Sequence, residues 1–189
     1  MARLPYLDEG DLAEPDRDLL KRPINLNRQL VHSPGAARAV GGIGHWIRYE
    51  SKLDARLREL AILAVGYLER SPYEYSHHVK IGQDFGVSKA DIRALERHLS
   101  IAEGSESDDT TLGALELAVL DAAQQLTDAN AIEDSTYAVL GAALSKEEIV
   151  DLTVVIGFYN CVVRVLGGLQ IDVEPGYQPY LDEFPLPCD

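Results

Sequence analysis

Sulfur, Trp and Phe are scarce in this chain: of 189 residues, two are Cys, one is Met, one is Trp and three are Phe. The two cysteines, Cys161 and Cys188, have no spacing suited to metal binding or a redox pair, which points to reduced thiols, and Cys161 is expected in the core. Positive charge is also short, with 17 Lys and Arg against 31 Asp and Glu, a formal net charge of −14. Such a surface repels phosphate backbones, so nucleic acid is not an expected partner. The longest apolar tract, 152–169, is interrupted by Asn160 and Arg164, so no membrane span is expected. The N-terminus turns acidic before an apolar leader develops, which predicts no secretion signal and a cytoplasmic location. Period-two alternation is absent as well, which removes a sheet from the expected fold.

What remains is helical periodicity in a chain 46% hydrophobic and 25% charged, an ordinary globular composition. The expected fold is all-α, a single-domain bundle of about eight helices. Ser33-Pro34 reads as N-cap and first helical residue, and the following Gly41, Gly42 and Gly44 are tolerable there if another helix packs closely against them. Asp54 caps a helix that is apolar all round from Leu57 to Leu68, the mark of a central element. Ser71, Pro72 and Glu74 fit a capping box for a helix reaching about Phe85, and Ser88 with Asp91 opens a short successor. The acidic, Ser-rich stretch 100–111 reads as a surface loop. Two further apolar stripes follow, one through Leu115, Val119, Ala122 and Leu126 and one through Tyr137, Leu140, Gly141 and Leu144. Ser145 and Glu148 then box a long apolar helix expected to stop at Gly167 and Gly168. The Pro- and Tyr-rich tail, 173–189, is expected to be extended.

Three groups of side chains attract chemistry. Glu59 sits on the central helix, where a carboxylate must be paired with a cation such as Arg56, Arg58 or Arg164, or its pKa rises and it serves as an acid or base. Glu74 and His78 lie four residues apart on one helix face, a plausible proton-transfer pair, although Glu74 also fits the N3 position of its cap. His77 diverges from His78 by about 100° and is expected at the surface or an interface. No further ligand follows at one-turn spacing, so no metal is expected. Arg164, with Asn160 one turn earlier and Tyr159 beside it, is the one cation of the last apolar run. Buried there, it needs a structural acid or a substrate carboxylate.

The run from Glu59 through Ser71, Glu74 and His78 resembles the core of the carboxymuconolactone decarboxylase and alkylhydroperoxidase-D superfamily. Thiol-dependent members carry a glutamate, a Cys-x-x-Cys pair and a histidine four residues later. Glu59 and His78 match the first and last of these, while Ser71 and Glu74 fall at the two cysteine positions. The chain is thus similar to the Cys-less, decarboxylase-like branch, whose last helix resembles Ile156 to Arg164. The resemblance covers roughly residues 24–172 as the domain core and implies an alkylhydroperoxidase-D-like helical domain assembling into a homotrimer or hexamer, with pockets near subunit contacts and no cofactor. It implies acid/base lyase or isomerase chemistry on a small oxo-acid or lactone, with Glu59, Glu74 and His78 catalytic and Ser71, Tyr159, Asn160 and Arg164 binding substrate. The alternative it leaves open is a relative of the thiol peroxidases that has lost its redox cysteines and serves as a non-catalytic oligomeric binding protein.

Overall fold

The computed structural model describes residues 2–100 and 111–187. Among these there is no strand. Nine α-helices run in chain order, α1 (Asn25–Leu30), α2 (Pro34–Tyr49), α3 (Ala55–Leu68), α4 (Pro72–Asp84), α5 (Lys89–Ser100), α6 (Ala114–Asp128), α7 (Asp134–Ala143), α8 (Lys146–Leu169) and α9 (Gln178–Glu183). Short 3-10 turns cover Glu9–Asp11, Glu14–Leu20 and Pro175–Tyr177. The loop expected over 100–111 and Cys188 lie outside the described residues, apart from the loop's two ends.

The central helix is α3, as its all-round apolar sequence predicts. Asp54 Oδ1 accepts the N–H groups of Arg56 at 3.0 Å and Leu57 at 3.1 Å, satisfying two donors that the first turn leaves free. Every residue from Leu57 to Tyr67 is buried, with α4, α6 and α8 packed around it. Fully burying Leu60, Ile62, Leu63 and Val65 contributes about 1.5–3 kcal/mol each. At Gly66 the next helix comes close: a Cβ there would stand 3.1 Å from the Tyr75 backbone nitrogen and 3.2 Å from its Cα. That approach sets α4 against α3 and so decides which of their side chains meet.

Several local expectations need correction. Ser71 is the N-cap of α4, but its hydroxyl makes no cap hydrogen bond and Glu74 turns to His78, so the capping box is not formed. At Ser145 the box does form, Ser145 N–H donating to Glu148 Oε2 at 2.8 Å and Glu148 N–H to Ser145 Oγ at 3.2 Å. Gly167 and Gly168 stay within α8; the helix stops at Leu169 because Gln170, the next residue, takes a left-handed conformation at φ 53°. Cys161 is exposed, not core, because α8 buries only one side. By length and composition α8 alone among the described residues could cross a membrane, and its inner side is a wall of the core. The tail is not extended: after Pro175–Tyr177 and α9, Phe184 is buried beneath the Arg93 guanidinium, 5.4 Å from its ring. No helix packs on Gly41, Gly42 and Gly44, since a Cβ at any of them would meet nothing within 4 Å. Those glycines cost α2 about 1 kcal/mol each in helix propensity, and Gly41 and Gly44 border a cavity.

Candidate active site

The cavity, of about 610 Å3, lies between α2 on one side and α4 and α8 on the other, with the segment preceding α1 at its rim. Five buried polar side chains reach it: Tyr73, Glu74, His77 and His78 from α4, and Tyr159 from α8. Glu59 stands one layer deeper on α3.

Glu59, His78 and Glu74 form a line. His78 Nδ1 is 2.6 Å from Glu59 Oε2, and His78 Nε2 is 3.0 Å from Glu74 Oε1. Both ring nitrogens therefore face carboxylate oxygens, an arrangement satisfied only when the imidazole carries both protons. Burial opposes that charge, but Glu59 and then Glu74 outweigh it and push His78 up from the usual 6.5 to about 9. Burial would also raise Glu59. The His78 charge and the Arg58 guanidinium instead hold it below the ordinary carboxylate value. Arg58 Nε donates to Glu59 Oε1 at 3.1 Å, and its guanidinium lies 4.9 Å over the Phe85 ring. The Tyr159 ring meets His78 edge-on, with centroids 5.1 Å apart, and closes the apolar side of the site. Burial first, then Glu74 and Glu59, push its hydroxyl upward against the opposing charges of Arg48 and Arg58, so Tyr159 remains a neutral donor.

His77, one residue earlier, points elsewhere. It is buried, not exposed, and its ring is stacked between Tyr73 at 4.2 Å and Tyr177 at 3.5 Å. Its Nε2 lies 2.8 Å from Glu174 Oε2, and Glu174 Oε1 also accepts from Tyr73 Oη at 3.0 Å and from the Asn25 N–H at 2.7 Å.

The residues singled out in the sequence thus divide. Glu59, Glu74, His78 and Tyr159 converge on the cavity or directly behind it. Ser71 is buried at the head of α4 and is not on the cavity wall. Asn160 and Arg164 face a different groove of about 390 Å3, with Cys161, Gly157 and Thr153. Arg164 is exposed, reaching Glu69 at 3.2 Å and the Asn160 carbonyl at 2.6 Å. Tyr159 and Asn160 separate because successive residues on a helix diverge by about 100°. The cations that do border the cavity are Lys21, Arg22 and Arg48. Arg48 lies on the same face of α2 as Gly41 and Gly44, a spacing visible in the sequence; Glu174 and Tyr177 carry no periodic signal that links them to α4. Among the described residues no cluster of three or more His, Cys, Asp or Glu side chains is arranged to hold a metal ion.

Comparison with known proteins follows the same geometry. The sequence model of the carboxymuconolactone decarboxylase family matches residues 34–117, from the start of α2 into α6, a segment that contains Glu59, Glu74 and His78. No curated protein matches the chain. Among solved structures, the alkylhydroperoxidase AhpD core protein from Ralstonia eutropha JMP134, a peroxidase-related protein, superposes with a TM-score of 0.78 at 16% identity, covering 95% of each chain. A peroxidase-related protein from Silicibacter sp. TM1040 gives 0.70 at 21% identity over 93% of this chain and 92% of its own. The debrominase Bmp8 in complex with 2,3,4-tribromopyrrole gives 0.71 at 17% identity over 97% and 99%. At these identities the structural likeness is one of fold. The chain is thus similar in sequence to the carboxymuconolactone decarboxylase family over residues 34–117 and shares the all-helical fold of the AhpD-like structures.

Proposed function

We propose that the protein is a cofactor-independent acid/base lyase or isomerase acting on a small oxo-acid or lactone. One observation carries this reading: an imidazole between two carboxylates, hydrogen-bonded to Glu59 and within ion-pair distance of Glu74, with the imidazole and Glu74 on the wall of a cavity. In decarboxylation the bond to the leaving carboxylate breaks, CO2 departs, and the electron pair moves into the conjugated carbonyl as an enolate. The His78 imidazolium lies where that negative charge develops and stabilises it. Proton return to carbon comes from the His78 and Glu74 pair, which recovers the proton from water. In isomerisation Glu74 removes the proton next to the carbonyl and returns it at another carbon. Glu59, fixed by Arg58, orients the imidazole and keeps it charged. Thiol chemistry of the cysteine-bearing relatives has no support at positions 71 and 74, which hold Ser71 and Glu74. Assembly into a trimer or hexamer in the cytoplasm is part of the proposal, and sizing of the purified chain tests it.

Turnover of a panel of oxo-acids and carboxylated lactones by the wild type, His78→Asn and Glu74→Gln tests the chemistry. The expected loss is at least about 100-fold in either variant with circular dichroism unchanged, and wild-type activity falling as pH rises through about 9. Full activity in both variants refutes the assignment. Stoichiometric carboxylate binding by the wild type with no turnover on any substrate makes the protein a binding module instead.

A further inference from the structure

Helix α2 is the one cavity wall with an unusual composition. Of its residues on the cavity wall, Ala37, Gly41, Gly44 and Arg48 follow the spacing of four, three and four that keeps residues on one helical face, flanked by Val40, His45 and Tyr49. At Gly41 and Gly44 a Cβ would meet nothing within 4 Å, so neither glycine is required by a neighbouring atom or a left-handed backbone. Gly42 faces away from the cavity and is equally unencumbered. Arg48 is half-buried, borders the cavity, and has no carboxylate within ion-pair distance among the described residues. Its charge acts at the Tyr159 hydroxyl, which places it on the same side as the His78 line. Of the acids on the cavity wall, Glu74 is occupied by His78, and Asp18 at the rim by Arg38 at 3.3 Å. Arg48 is therefore a cation with free hydrogen-bonding capacity, partly removed from water, at the end of a strip of bare helix backbone.

We propose that α2 is the specificity wall of the cavity: Arg48 holds the substrate's carboxylate, and the bare backbone at Gly41 and Gly44 accepts the flat face of its carbon skeleton. This rests on the reading of the cavity as a substrate site, and it assigns selection by charge to Arg48 and selection by thickness to the two glycines. A planar guanidinium grips a carboxylate through two parallel N–H···O bonds, which fixes the angle at which the remainder of the molecule leaves. From Arg48 that remainder extends along the helix face past Gly44 and Gly41, opposite Glu74 and His78. The protein's excess of negative charge repels anions generally, so a local unpaired cation is also what admits one.

Calorimetric titration of the full chain with benzoate, 2-naphthoate and neutral 2-naphthamide tests this without requiring turnover, so its outcome is separate from that of the catalytic variants. Wild type is expected to bind 2-naphthoate more tightly than either other probe. Arg48→Gln weakens 2-naphthoate by about 10-fold or more and leaves 2-naphthamide unchanged, the size expected for losing a charge-assisted pair. Gly41→Leu and Gly44→Leu raise the melting temperature by about 2–4 °C through helix propensity. The same two variants weaken 2-naphthoate about 10-fold, with less effect on the smaller benzoate. Gly42→Ala, the control, raises the melting temperature and leaves binding unchanged. Wild-type affinity for 2-naphthoate in both leucine variants overturns the role of the glycines. Equal losses for the acid and the amide in Arg48→Gln, or no binding of 2-naphthoate by wild type, overturn the role of Arg48.

Discussion

His77 and His78 are neighbours in the chain, both are buried and both meet carboxylates, yet they do different work. The carboxylates around His78 come from α3 and α4, two helices locked together at Gly66 inside the core. The carboxylate on His77 comes from Glu174, on the C-terminal segment, and the tyrosines stacked on its ring come from α4 and from that same segment. In one case a rigid frame holds a charge in a water-poor place, where electrostatics is strong. In the other, a half-buried acid fastens the tail to the body. The 100° between adjacent helical residues separates a site for proton chemistry from a clasp.

The severest way to break the His78 side is Glu59→Ala, which leaves the buried His78 and Arg58 charges without their shared partner. A loss of about 3–5 kcal/mol in denaturant unfolding is expected, together with loss of turnover. A loss below about 1 kcal/mol would contradict the buried ion-pair reading.

The next test is pH. His78 is raised in the folded protein, so its stabilising contribution is complete below its ordinary value of 6.5 and disappears as pH rises through about 9. Unfolding free energy should fall across that interval by on the order of a few kcal/mol. His78→Asn should flatten the slope there; an unchanged slope in that variant assigns it to other groups.

On the His77 side, burial would raise Glu174, but hydrogen bonds from His77 and from the Asn25 N–H hold it near 2, against an ordinary 4.5. Its contribution is present above about 4.5 and is lost as pH falls toward 2. Partial exposure and screening limit Glu174→Gln to about 1 kcal/mol. The expected signature is local: faster hydrogen exchange in α9 and its approach, with α3 and α4 unaffected. Uniform acceleration throughout would mean that the tail is part of the core.

The smallest effect belongs to Arg164→Ala. As an exposed partner of Glu69 it contributes within about 0.5 kcal/mol, and carboxylate turnover should be unchanged, since it faces the other groove. A large rise in KM would restore the substrate role suggested by its sequence context and remove the distinction between the grooves.

Much of the fold was legible because local physics decides it. Asp54, Ser145 and the Ser88 with Asp91 pair mark helix starts through hydrogen bonds made within three residues. The all-round apolar run after Leu57 required a central helix. Legibility ended where one local signal admitted two outcomes. Glu74 stands both where a cap residue would and one turn before His78, and only the structure shows it paired with His78 and the Ser71 cap unformed. The glycines of α2 have the same composition whether a helix or a cavity faces them.

By itself the sequence determined an all-helical chain, the central position of α3, and a glutamate and histidine spaced as in the superfamily, because periodicity and caps act over one or two turns. Tertiary structure alone decided that Tyr159 joins the His78 line while Asn160 and Arg164 do not, that Arg48 is a half-buried cation on the cavity wall, and that Glu174 reaches back 97 residues to His77. Those outcomes depend on helix rotation and on the distance between elements far apart in the chain, where a difference of one residue in register turns a side chain by 100°.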